Sequence, residues 1–256
     1  MNTPTLSNGA RPAVDPRIVA SGNDAMVFDA NLAESPTGDW FERGWWQSQN
    51  RMRPGPGGRG GVAFLDTQAG PCVLRHYQRG GWMAPLLGDR YLWNSRLRSR
   101  GFAEFHLLAE LVQRGLPVPM PVAARYRRRG PYYTADLITR TIEGAQTLTE
   151  IIAQDRLDAA LAGRVGALIA RFHVAGVDHA DLNAHNILMA GEDLWLIDFD
   201  RGEIRAIGTA WKLANLARFK RSLLKVGACD HDEAALDREI WTPFLHGYQH
   251  AFGNSP

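Results

Sequence analysis

Cysteine is scarce in this chain: 256 residues carry two, Cys72 and Cys229, with no CxxC or Cys/His spacing. That excludes a disulfide framework and a cysteine-based zinc site. No run approaches the roughly 18 apolar residues that a spanning helix needs, and the polar, proline-containing stretch Met1 to Asp15 has no apolar centre of a leader. A reducing, cytosolic setting follows. No unit recurs at a period of about 20 to 50 residues, so a solenoid is excluded. Lysine is nearly missing too: three against 26 arginines, the first at Lys212. What is present is a globular balance, 45% hydrophobic and 22% charged.

The net charge of +2 conceals a division. Residues 1–135 hold 17 basic and 10 acidic groups, whereas residues 136–256 hold 12 and 17. The first part is therefore set to face something anionic, and arginine forks suit phosphate.

Along the chain, a Gly/Pro-rich stretch from Arg53 to Gly61 precedes two apolar runs, Val62 to Leu65 and Cys72 to Tyr77, that read as strands about a turn at Gln68 to Pro71. Phe105, Leu108, Leu111 and Val112 recur at helical spacing until Gly115 and Pro117. Strands follow at Val122 to Tyr126 and Tyr132 to Ile138. Leu161, Val165, Leu168, Ile169 and Phe172 mark a second helix, ended by Gly176. Ile187 to Met189 and Leu194 to Ile197 then form a hairpin about Ala190 to Asp193.

The chemistry sits around that hairpin. His179-x-Asp181-x-x-x-x-Asn186 resembles the catalytic loop of the protein-kinase-like superfamily, and Asp198-Phe199-Asp200 is similar to its metal-binding Asp-Phe-Gly with the glycine replaced. The resemblance implies Asp181 as the base that orients the attacking hydroxyl, and Asn186 and Asp198 as magnesium ligands on ATP phosphates. The open ends of a hairpin are adjacent, which lets the last two converge. Gly57, Gly58, Gly60 and Gly61 would bring backbone amides to the phosphates. With no lysine before 212, Arg75 takes the place of the strand lysine, reaching the phosphates and pairing with Glu104. Thr139 to Ile142, with Thr139 and Thr141, would meet adenine by position in the chain. His179 reads as a support for the loop.

Protein kinases place lysine two residues after the catalytic aspartate; here Asn183 stands there, and only 58 residues follow Asp198, with no Ala-Pro-Glu. A protein substrate is therefore not expected. Val73-Leu-Arg-His-Tyr77, Asp89-Arg-Tyr91, Phe102-Ala-Glu-Phe-His106, Gly115-Leu-Pro-Val-Pro119, the run from His179 to Leu188, Trp211-Lys-x-x-Asn-Leu-Ala-Arg218 and Arg221-Ser222 are similar to the 3-deoxy-D-manno-octulosonic acid (Kdo) kinase family of lipopolysaccharide kinases. That resemblance implies ATP-dependent phosphorylation of the Kdo 4-hydroxyl on a Kdo-lipid A precursor, in inner-core synthesis at the cytoplasmic face of the bacterial inner membrane. Heptose or aminoglycoside-type kinases share the machinery, and a pseudokinase-like nucleotide-binding module is the alternative of another class.

Between Arg75 and Arg129 lie 11 arginines and 3 acids, interleaved with Trp82, Met83, Leu86, Leu87, Tyr91, Leu92 and Trp93. Such a mixture suits peripheral contact with an anionic membrane surface, or else aromatic packing of the small lobe with solvated arginines. Arg125 and Arg127 to Arg129, beside Gly130-Pro131, read as an exposed hairpin turn. No recognition helix or RNA-binding signature is present, which argues against nucleic acid. The expected fold is α+β and two-lobed, protein-kinase-like: a tail over 1–16, a small antiparallel lobe with one main helix over 17–138, a joining segment over 139–146 and a helical lobe over 147–256.

Overall fold

Gly22, at a φ of +57°, turns β1 (Pro16–Ser21) back on β2 (Asp24–Asp29) in the computed structural model, which describes residues 13–55, 62–78, 88–206 and 208–253. The sequence reading sees no strand there. The reason is physical: β1 is exposed along its whole length and so shows no alternation to read. Its partner β2 carries the buried Val27 and Phe28.

The strands that follow are β3 (Met52–Arg53), β4 (Val62–Thr67), β5 (Gly70–His76), β6 (Tyr91–Leu92), β7 (Pro121–Arg129) and β8 (Tyr132–Arg140). They join β1 and β2 in an antiparallel sheet of order β1-β2-β7-β8-β5-β4-β3, with β6 also on β8. Register sets up one row that matters: His76 of β5 stands opposite Asp136 of β8, which stands opposite Arg125 of β7.

Both faces of the sheet are covered. On one lies a short 3-10 turn, Gly38–Phe41, and helix α1 (Arg43–Ser48), whose Trp40, Phe41 and Trp46 pack with Leu65, Leu74, Val122 and Ile138. Trp46 Nε1 donates to Trp40 O at 2.7 Å, which satisfies its buried N–H. On the other face lies α2 (Arg100–Gln113), burying Phe102, Phe105, Leu108 and Leu111. Gly101 permits this approach, since a Cβ there would stand 2.7 Å from Asp136 O.

The rest of the chain is mainly helical. Strand β9 (Gln146–Thr147) leads into α3 (Leu148–Ala153), started by a reciprocal cap between Thr147 and Glu150. Helix α4 (Ala159–Val174) begins at Asp158, which accepts Leu161 N–H at 2.8 Å. After β10 (Val177–Asp178) come the hairpin β11 (Ile187–Ala190) and β12 (Asp193–Leu196), then β13 (Glu203–Ile204), α5 (Thr209–Lys225), α6 (Glu233–Leu236) and α7 (Thr242–Gly253). Sheet on one side and helices on the other make the α+β, two-lobed arrangement that the motifs led us to expect. Both cysteines are free, and burial pushes the Cys72 thiol up to about 11.

Two expectations need correcting. Thr139 still lies inside β8, opposite Val73 and Pro121, so the connecting segment begins later than position 139. Arg125 is no solvated turn residue: it is buried, with Nε 3.0 Å and Nη2 2.8 Å from Asp136 Oδ2 and Nη1 2.8 Å from Glu42 Oε1. Its register opposite Asp136 put it there.

Candidate active site

The loop from Asp178 to Asn186 is held from two sides. From α5, Asn215 Oδ1 accepts His179 N–H at 3.3 Å, Asn215 Nδ2 donates to Asp178 Oδ1 at 2.9 Å, and Ser222 Oγ accepts Ala184 N–H at 3.1 Å. From the hairpin, Ile197 N–H donates to Asn186 O at 3.0 Å, and His179 Nε2 meets Ile197 O at 2.9 Å. Carbonyl O only accepts, so Nε2 carries the proton and Nδ1 is left to accept Asp181 N–H at 3.3 Å. Burial lowers the His179 pKa, which suits this neutral tautomer. The support role read from the sequence is what His179 performs here.

Asp181 is exposed, with Asn183 Nδ2 3.1 Å from its Oδ2. Asn186 is buried and its Nδ2 donates to Asp181 O at 2.9 Å, which leaves its amide oxygen for another partner. The hairpin thus brings Asn186, bonded to the Asp181 carbonyl, and Ile197, the residue before Asp198, to the same end.

Asp198 has a left-handed φ of +63°, a turn that aspartate tolerates better than most side chains. From there its Oδ1 bonds Arg75 Nη1, and Phe199 N–H donates to Glu104 Oε1 at 3.1 Å. Arg75 Nη2 bonds Glu104 Oε2 as well, and Tyr77 donates to the same oxygen at 2.6 Å. The pairing of Arg75 with Glu104 was anticipated; the clasp of Arg75 on Asp198 was not. Burial opposes the guanidinium's charge, but Glu104, Tyr77 and Asp198 outweigh it and hold its pKa above the ordinary value. Burial likewise lifts the Glu104 pKa against the pull of Arg75, whereas at Asp198 Arg75 overcomes burial and the pKa falls. Asp198 is therefore an ionised carboxylate at neutral pH.

An ionised carboxylate and an amide oxygen are both donors that a hard cation such as magnesium takes. Among the described residues no three His, Cys, Asp or Glu side chains gather into a metal cage, so phosphate oxygens would have to complete the shell.

Other expected residues are placed differently. Thr141 is half-buried and its N–H already donates to Pro71 O at 2.9 Å, while Thr139 sits in the β8 ladder. Gly57, Gly58, Gly60 and Gly61 lie outside the described residues, as do Trp82, Met83, Leu86 and Leu87. The sequence reading gave no role to Tyr77, Asn215 and Ser222. The signal was available for two of these, since 215 and 222 fall at i and i+7, on one face of α5.

Comparison with known proteins gives the family. The model of the lipopolysaccharide kinase (Kdo/WaaP) family matches residues 43–248. A 3-deoxy-D-manno-octulosonic acid kinase of Xanthomonas axonopodis pv. citri (strain 306) is 44% identical over 257 residues, covering 95% of this chain and 100% of its own. One of Stenotrophomonas maltophilia (strain R551-3) is 47% identical over 225 residues, 85% of this chain and 87% of its own. Among solved structures, WaaP in complex with acyl carrier protein aligns with a TM-score of 0.49 at 18% identity over 78% of each chain. The chain belongs to the lipopolysaccharide kinase (Kdo/WaaP) family and is an ATP-dependent phosphotransferase.

Proposed function

We propose that this chain transfers the γ-phosphoryl group of ATP to the 4-hydroxyl of Kdo on a Kdo-lipid A precursor, in assembly of the lipopolysaccharide inner core. The observation that carries the reading is the hairpin end at which Asn186 bonds the Asp181 carbonyl at 2.9 Å and Ile197, the residue before Asp198, at 3.0 Å. The naming of relatives at 44% and 47% identity supplies the acceptor.

In this reading Asp181 takes the hydroxyl proton as the hydroxyl oxygen bonds to the γ-phosphorus and the bridge to ADP breaks. Asn183 steadies the carboxylate through Oδ2. Asn186 and Asp198 would hold magnesium, which would draw charge from the transferring phosphate. Arg75 would face the same phosphates and, with Glu104, ties β5 to the Asp198-Phe199-Asp200 segment. Thr139 and Thr141 flank the region in which adenine would bind, although the Thr141 amide is already engaged. The small lobe would run through β8 to about residue 140, with the joining segment reaching 146.

The acceptor is a glycolipid, so we place the enzyme peripherally on the cytoplasmic face of the inner membrane. No helix among the described residues is long and apolar enough to cross a bilayer. Support for surface contact comes from the β7–β8 end: Arg90, Arg127 and Arg129 with Tyr132, Tyr133 and Thr134 line a cavity of about 210 Å³. Exposed Leu92 and Leu97 stand near in sequence, between exposed Arg96 and Arg98 and that cavity's Arg90. Tyr91 and Trp93, in contrast, pack against Tyr133 and Tyr126 and belong to the sheet.

The test is phosphate transfer from ATP to three acceptors: a Kdo-bearing lipid A precursor, heptosylated core and an aminoglycoside, with wild type and Asp181→Asn. Transfer to the first, abolished by the substitution, is expected. Transfer to heptose alone overturns the acceptor; binding of ATP without any transfer establishes the pseudokinase-like module instead.

A further inference from the structure

A sugar acid brings a negative charge to its kinase. Octulosonic acid carries a carboxylate, and the hydroxyl to be phosphorylated must approach Asp181, itself a carboxylate. Two like charges at close range oppose that encounter unless a cation stands between them. The catalytic loop does not provide one: Asn183, two residues after Asp181, is neutral, and its amide is turned onto Asp181 itself at 3.0 Å and 3.1 Å.

Cations nearby are committed elsewhere. Arg75 bridges Glu104 and Asp198, Arg100 holds Asp200 at 2.5 Å, and Arg205 pairs with Asp178 at 3.2 Å. Arg218 differs. Its Nη1 stands 3.6 Å from Asp181 Oδ1, the side chains are 49% and 56% exposed, and among the described residues it makes no other ion pair or hydrogen bond. Its root is firm, because Asn215 and Ser222, one turn to either side on the same face of α5, are bonded to the loop. Helix α5 contributes nothing to the Arg75, Glu104, Asp198 cluster on the phosphate side. A guanidinium has five N–H donors in a rigid plane, so one edge can lean on Asp181 while the other offers a bidentate seat to a second carboxylate.

We propose that Arg218 is a specificity-determining residue that binds the carboxylate of the acceptor sugar and so screens it from Asp181. The proposal rests on the reading of the acceptor as a Kdo-bearing glycolipid. Arg221, three residues on and exposed, adds positive charge to the same helix and is not required for the seat.

The experiment measures kcat and KM for a Kdo-lipid A precursor and for the same molecule with its Kdo carboxylate methyl-esterified, using wild type, Arg218→Ala and Arg218→Lys, each checked by its urea midpoint. Wild type is expected to favour the free acid by about 10- to 100-fold in kcat/KM, the usual weight of a charge-assisted hydrogen bond. In R218A the KM for the acid rises by about that factor and the preference over the ester falls to near unity, and R218K recovers part of it. Equal losses on acid and ester in R218A overturn the proposal and assign Arg218 to the phosphoryl group or to Asp181. A wild type that transfers equally well to acid and ester overturns it too, while leaving the kinase reading intact. A wild type that transfers to neither Kdo acceptor removes the acceptor reading, and this proposal with it.

Discussion

Arg100 and Asp200, a hundred residues apart, meet at 2.5 Å, so the aspartate that replaces a glycine in Asp198-Phe199-Asp200 is tied to the first turn of α2. Arg100 also lies over the Tyr91 ring, 4.1 Å from its centroid, and its backbone N–H donates to Tyr133 at 3.1 Å. Burial raises the Asp200 pKa although Arg100 pulls it down. Removing Arg100 takes the ion-pair partner from that half-buried acid. Arg100→Ala should therefore destabilise by about 1–3 kcal/mol. Arg100→Ala/Asp200→Ala should cost less than the two single changes summed, as a double-mutant cycle in urea would show. Full additivity would mean that the pair contributes nothing.

Arg75 serves two acids with one fork, and a lysine offers only a point charge. Arg75→Lys should keep the fold and lose about 10-fold or more in kcat/KM for ATP, with Arg75→Ala losing about 100-fold or more. In R75A the buried Glu104 has no cation, and its already raised pKa rises further. A carboxyl whose pKa is raised by folding destabilises more as pH climbs above its ordinary value of 4.5. Denaturation of R75A against wild type should thus show a gap that is wider at pH 8 than at pH 5.

Asn215 holds the loop from Asp178 to Asn186 through both ends of its amide. Asn215→Leu strips the His179 N–H of its partner and leaves Asp178 to Arg205 alone, and should lower kcat by about 10-fold or more while leaving the KM for ATP nearly unchanged, because no nucleotide-side residue is touched. Asn215→Asp keeps an acceptor for His179 N–H but sets a carboxylate against Asp178, and should recover only part of the loss. Steady-state kinetics on the three proteins decide this.

Two histidines give stability opposite pH slopes. His76 stands 2.7 Å from Asp136 and 2.9 Å from Asp89, and these raise its pKa above 6.5. Its folded form holds the proton longer, so its contribution is full below pH 6.5 and is lost as pH rises above that. Burial lowers His173 to about 4, and its Nδ1 meets Tyr248 OH at 2.8 Å. It stays neutral when folded, so its contribution is full above pH 6.5 and is lost as pH falls toward 4. His76→Asn should flatten the alkaline limb of the stability profile and His173→Gln the acid limb. Urea midpoints from pH 4 to 9 measure both.

Close helix packing makes one glycine irreplaceable and its neighbour tolerant. A Cβ on Gly166 in α4 would fall 2.1 Å from Phe244 O in α7, and one on Gly163 only 3.5 Å from Pro243 O. Gly166→Ala should destabilise by about 1–3 kcal/mol through backbone overlap. Gly163→Ala should be neutral or stabilising by a few tenths, since alanine favours helix. Calorimetric Tm values for the two variants compare them directly.

The strands about Gly70, the helix carrying Glu104 and the hairpin between Asn186 and Asp198 were legible because each announces itself within a dozen residues. Apolar periodicity marks the buried stripe, glycine marks the turn, and the spacing from His179 to Asn186 marks the loop. The β1–β2 hairpin was not legible, since an edge strand exposed on both faces has no pattern to show.

Sequence alone thus determined the order of those legible elements and the type of chemistry, because those depend on local spacing and on which side chains can bear a proton or a cation. Tertiary structure decided what each charge meets. Cross-strand register buried Arg125 between Asp136 and Glu42, and the turn at Asp198 carried its carboxylate to Arg75, 123 residues earlier. The face that α5 presents set Arg218 beside Asp181. The environment of an ionised group is made by neighbours in space that the linear chain does not place side by side, and only folding brings them there.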